Sequence, residues 1–125
     1  MTPLICLATA VYFEARGEPD IGQMAVAQVV VNRMVDDRYP DTICDVVWAP
    51  KAFSFTHDGK HDRMTHPESR SKALQIAKDT LRGDGLGITS THYHTTAVDP
   101  FWNEHYVLDG LVGNHLFYTN NTPYK

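Results

Sequence analysis

No stretch of this chain reaches the roughly 18 consecutive apolar residues that a membrane-spanning helix needs. Basic residues are scarce: 11 lysines and arginines face 15 aspartates and glutamates, a net charge of −4. A nucleic-acid binder displaces counterions with a basic face, so nucleic acid is set aside as a partner, as is the membrane. The start, Met1-Thr2-Pro3-Leu4-Ile5-Cys6, lacks the positive segment of a secretion signal. The expectation is a chain with no export signal of its own, or one cut from a longer protein. Cysteine is almost missing. Cys6 and Cys44 are too few for a disulfide framework, and neither stands in a C-x-x-C. Without a secretion signal they read as two small buried hydrophobes. The alternative is one bridge between the first helix and a later one. There is no G-x-S-x-G, no P-loop and no H-E-x-x-H, so serine-nucleophile, nucleotide and zincin chemistry have no motif to rest on.

What is present is ordinary globular composition, 42% hydrophobic and 21% charged, in 125 residues. That is one domain over 1–125, able to bury roughly two-thirds of its unfolded surface. A monomer is expected. Leu4, Leu7, Ala8, Val11 and Ala15 recur at helical spacing, which predicts a helix over 3–16 that Gly17 and Pro19 stop. A second helix is predicted over 20–35, with Asp20 and Gln23 spaced as a capping box. Its stretch from Met24 to Val31 is apolar nearly all round, which marks a central helix. Gln28, Asn32 and Arg33 are its polar exceptions, and each needs a partner. A short helix is predicted over 41–48 and a fourth over 67–82. Period-two alternation predicts a strand at 52–56, before an Asp58-Gly59 turn; threonine and aromatic content predicts a second at 88–95, and 112–118 reads as a last strand, with 96–111 irregular. Helices followed by a small sheet make an α+β domain.

Glu14 falls in the last turn of the first helix, on the edge of its apolar stripe. Partial burial and the negative end of the helix both raise a carboxyl pKa there. Glu18 is four residues on, and on an unbroken helix the two would approach the spacing of a glycosidase pair. Gly17 and Pro19 argue against that continuity, so Glu14 is the better single candidate. Its ordinary role would be an ion pair with Arg16 or Arg33. Among seven histidines, His92 and His94 share a strand face, and with His115 they could form a three-histidine zinc site. A sheet face turned to solvent or substrate explains them better. Aromatic and amide side chains gather in the second half, as a carbohydrate groove requires and as a small core also contains.

The run Val11-Tyr12-Phe13-Glu14-Ala15-Arg16-Gly17-Glu18-Pro19, then Gly22-Gln23-Met24-Ala25-Val26-Ala27 through Asn32-Arg33, resembles the opening of the bacterial cell wall hydrolases of the spore cortex-lytic (SleB/CwlJ) kind. The resemblance continues through Tyr39-Pro40-Asp41-Thr42-Ile43, Ala52-Phe53-Ser54 and Asp58-Gly59, and ends at Gly113-Asn114-His115-Leu116-Phe117. It implies a lysozyme-like α+β fold and cleavage of the β-1,4 bond between N-acetylmuramic acid and N-acetylglucosamine, without metal or other cofactor. It places the catalytic acid at Glu14, whose raised pKa suits a general acid. It places a family tyrosine at Tyr93, and Tyr93, Trp102, Glu18, Gln23, Phe53 and His115 are the candidate substrate contacts, with His94 a polar wall residue at most. Where many members carry a Tyr-Tyr-Phe-Asn-Pro-like strand, this chain has His92-Tyr93-His94-Thr95-Thr96. Lytic transglycosylase is the leading expectation. The alternatives are a hydrolytic muramidase, a zinc amidase or peptidase built on the histidines, and a non-catalytic wall-binding module. A bare domain of this size also resembles a phage or prophage endolysin, held in the cytoplasm until a holin releases it to the wall or periplasm.

Overall fold

The computed structural model describes residues 1–50, 52–57, 63–95 and 107–119. Helix α1 spans Pro3–Ala15, α2 Asp20–Val35, α3 Ile43–Val47 and α4 Pro67–Leu81. Strands β1 (His92–Thr95), β2 (Val107–Val112) and β3 (His115–Thr119) form one antiparallel sheet in the order β1-β3-β2. The α+β, lysozyme-like expectation is borne out.

Local chemistry sets the helix ends. Thr2 Oγ1 accepts from the Ile5 N–H at 3.2 Å, and Pro3 opens α1, where its missing N–H costs nothing. Gly17 stops it with a φ of +91°, a conformation that side chains resist. The capping box at α2 does not form. Pro19 caps without a side-chain bond, Asp20 pairs with Lys72 at 2.6 Å, and Gln23 Nε2 turns back to the Glu18 carbonyl at 3.1 Å.

Helix α1 shares the central position expected of α2 alone. Cys6 through Tyr12 and Ala15 are all buried, because α2, α3 and α4 pack round it. On α2, Ala25, Val26, Ala27, Val29 and Val30 have no exposed surface. Each such valine contributes about 1.5–3 kcal/mol of transfer free energy.

Four expectations give way. Cys6 and Cys44 form a disulfide between α1 and α3, closing a loop of 38 residues. Counting cysteines and seeking a leader could not reveal that the packing of α3 on α1 brings two thiols together. Residues Ser54–His57 form a 3-10 helix, not a strand. Phe53 and Phe55 both bury, at 3% and 5% exposure, with ring centroids 6.0 Å apart, and Thr56 Oγ1 bonds the Phe53 carbonyl at 2.9 Å. The Asp58-Gly59 turn lies outside the described residues. Residues 88–91 are not strand, since the Ile88 and Ser90 carbonyls accept from Asn32 Nδ2, each at 2.9 Å. Strand β2 occupies the end of the segment expected to be irregular. Its register shifts between Leu108 and Gly110, so Asp109-Gly110 is a bulge that imitates a turn.

Candidate active site

The polar residues of α2 dock the sheet. Gln28 Nε2 donates to Asn32 Oδ1 at 3.0 Å, and Asn32 holds the two carbonyls just named. Arg33 Nε donates to the Thr91 carbonyl at 2.8 Å. These bonds fix the approach to β1, and the strand then turns Tyr93 inward. The register pairs Tyr93 with Phe117 and Thr95 with His115, which puts Tyr93, Phe117 and His115 on the face toward the helices. His94 belongs to the opposite face, where its ring stacks on Tyr118 and Nε2 lies 2.9 Å from the Tyr118 hydroxyl. The register therefore separates His94 from His115, and the three-histidine set is not assembled.

Tyr93 donates its hydroxyl to Glu14 Oε1. Burial raises the Glu14 pKa above the ordinary carboxyl value, against the lowering effects of this bond, His115 and Arg33. Burial and the adjacent carboxylate push the Tyr93 phenol well above its usual range, so it remains a donor throughout the working pH. The half-buried acid expected from its helix position thus has a dedicated hydrogen-bond partner from the sheet.

Glu18 is differently placed. The Asn114 backbone N–H donates to its Oε1 at 3.0 Å, and the Asn114 side-chain amide to its Oε2 at 2.9 Å. These bonds, the backbone one foremost, lower its pKa. His115 Nδ1 lies 3.2 Å from Oε1, at ion-pair distance but off the hydrogen-bond line. The β2–β3 turn approaches so closely that a Cβ on Gly113, already at φ +59°, would meet Glu18 Oε1 at 3.0 Å. Glu18 ties the α1–α2 turn to that hairpin and seats His115, whose ring stands edge-on to Tyr93 with centroids 5.1 Å apart. An ionised carboxylate with both oxygens occupied is poorly suited to serve as a second acid or nucleophile. Glu18→Gln is therefore expected to lose less than about tenfold in turnover, together with a lowered melting temperature. Equal inactivity of Glu14→Gln and Glu18→Gln would restore a two-carboxylate mechanism.

Beside Tyr93 opens a cavity of about 430 Å³ lined by Arg33, Tyr39, Pro40, Pro50 and His92 among others. A shallower hollow of about 220 Å³ lies past Glu18, lined by Gly17, Gln23, His66 and Lys72. Of the expected substrate contacts, Tyr93 meets the expected catalytic Glu14, and the His115 ring stands edge-on to Tyr93. Gln23 is 6% exposed and committed to the Glu18 carbonyl, though its edge reaches the shallow hollow. Phe53 is corrected to a core residue: at 3% exposure it packs beneath the Arg33 guanidinium. Trp102 lies outside the described residues. Sequence reasoning missed the roles of Arg33, Tyr39 and His92 in the cavity. The one available signal was a cation on a helix otherwise apolar all round.

Tyr93→Ala is expected to cost far more activity than His94→Ala, with both folded by circular dichroism. Tyr93 holds the acid, whereas His94 faces away. The reverse order would mean that the outer face of the sheet is the active one.

Several known proteins are similar to this chain. The spore cortex-lytic enzyme of Halalkalibacterium halodurans is 35% identical over 114 residues, covering 89% of this chain and 33% of that protein. That of Oceanobacillus iheyensis is 34% identical over 112 residues, covering 89% and 39%. The chain thus spans well under half the length of these curated relatives. Among solved structures, the catalytic domain of the germination-specific lytic transglycosylase SleB from Bacillus anthracis superposes with a TM-score of 0.80 at 30% identity, covering 94% of this chain and 93% of that one. The catalytic domain of the Bacillus cereus SleB protein gives 0.72 at 26% identity, covering 94% and 89%. Residues 17–118 match the family described as cell wall hydrolase, a span that opens three residues after Glu14. The chain belongs to the cell wall hydrolase family.

Proposed function

We propose that this chain cleaves the glycan strand of peptidoglycan between N-acetylmuramic acid and N-acetylglucosamine as a lytic transglycosylase, with Glu14 as its single acid and base. The observation that carries the reading is the half-buried Glu14 carboxyl, its pKa raised, held by the Tyr93 hydroxyl beside an open cavity. The likeness to the catalytic domain of the germination-specific lytic transglycosylase SleB supports it. Protonated Glu14 gives its proton to the glycosidic oxygen as the bond to the muramic anomeric carbon breaks. The resulting carboxylate takes the proton of the muramic C6 hydroxyl, whose oxygen closes on that carbon. Glu14 ends protonated again, and the product carries a 1,6-anhydro ring. Tyr93 keeps Glu14 in one orientation through both transfers.

Water could replace the C6 hydroxyl, which would make the chain a muramidase. Mass spectrometry of soluble fragments from purified sacculi separates the two. Anhydromuramic ends are expected; reducing muramic ends would assign hydrolysis instead. Peptidoglycan is the partner, and the chain acts on it as a monomer. The Cys6–Cys44 bridge favours a working place outside the reducing cytosol, at the wall or in the periplasm.

A further inference from the structure

Arg33 is held more firmly than a solvent-facing arginine needs to be. Its Nε is spent on the Thr91 carbonyl, and its guanidinium carbon lies 5.4 Å from the ring centroids of both Tyr39 and Phe53. Among the described residues no carboxylate forms an ion pair with it, and its two terminal nitrogens have no acceptor. Arg38, the other arginine whose charge reaches His92, is paired with Asp36 at 2.5 Å. Arg33 lines the same cavity as Tyr93, the residue that holds Glu14. A pinned, stacked guanidinium in the wall of a cavity is a preorganised seat for a carboxylate. Glu14 acts on Arg33 through space without a direct ion pair, so the fork keeps its hydrogen-bonding capacity for a bound anion.

On the reading that this chain cuts glycan strands, we propose that Arg33 binds the free carboxylate of the 3-O-lactyl group of muramic acid, and that the chain thereby favours strands stripped of their peptide stems. The chemistry of the sugar fits the placement. The lactyl ether hangs from the muramic ring whose anomeric carbon reacts at Glu14, so it projects beside the acid. With a stem attached, the lactyl group ends in a neutral amide, which offers the fork a weaker acceptor. A substrate with the carboxylate exposed must be supplied by a reaction that hydrolyses the amide between the lactyl group and the first stem residue.

The test uses soluble oligomers of alternating N-acetylglucosamine and N-acetylmuramic acid, one set with free lactyl carboxylates and one with the same groups capped as methylamides. Wild type is expected to favour the free acids in kcat/KM by about tenfold or more. Arg33→Gln is expected to bring that ratio close to one. Equal rates for wild type, or an unchanged ratio in Arg33→Gln, would overturn the proposal. Because Arg33 also docks the sheet, a second measurement avoids mutating it. N-acetylmuramic acid and its methylamide are titrated into the Glu14→Gln chain, with the Arg33 Nε–H followed by NMR. Tighter binding of the acid with a shift at that proton supports the subsite; equal binding, or no shift there, overturns it. Inactivity of wild type on both oligomers and on sacculi would instead sink the glycan-cleaving reading, and the titration would still decide on Arg33.

Discussion

Glu14→Gln is expected to leave a folded chain that binds the wall and turns over almost nothing. Glutamine keeps the shape of the side chain and an oxygen for the Tyr93 hydroxyl, but has no proton to give. Acid–base assistance is worth about 10²–10⁴-fold. A site in which one carboxyl serves as both acid and base should lose at the top of that range. Retention of more than about a tenth of the rate would remove Glu14 from the mechanism. The pH dependence adds an independent check. Burial raises the Glu14 pKa, so the proton-donating form persists to higher pH than in an ordinary carboxyl, and wild-type activity falls as pH rises through that raised value. The stability effect has the same direction. A raised folded-state pKa means that ionisation opposes folding, with no penalty below the unfolded pKa and the full penalty above the folded one. Glu14→Gln escapes it and should be at least as stable as wild type at neutral pH, so lost activity cannot be blamed on lost structure.

The second large effect falls on stability. Opening the Cys6–Cys44 bridge, by reductant or by the double substitution to alanine, should cost about 4 kcal/mol, from the chain entropy released by a 38-residue loop. In a domain of this size that is a melting-point drop on the order of 10–20 °C. Thermal melts with and without reductant measure it. Superimposable melts of the bridged and reduced chains would mean that α1 and α3 stay packed unaided.

The long helices were legible because their apolar residues recur at helical spacing and their ends carry Pro3, Gly17 and Pro67. Glu14 could be singled out from its place at a helix end and from the motif around it. What was hidden depended on partners far along the chain. Nothing local in Asn32 or Arg33 announces that they bind the carbonyls of residues 88, 90 and 91. Likewise Glu18 is explained only by Asn114, 96 residues away. Strand β2 was obscured because Asp109-Gly110 has turn composition but sits in a bulge. Phe53 misled because a ring suited to a sugar is equally suited to a core.

Glu14 and the hydroxyl that orients it are 79 residues apart in sequence. A ribosome extends the chain through all of that distance before the two can meet. During synthesis the acid therefore exists without its donor. A truncated chain that ends before β1 carries Glu14 but none of the strand that completes its site. On the reading that this chain cuts glycan strands, a nascent or truncated fragment that lacks β1 is expected to be inactive, and only the finished molecule carries the assembled acid.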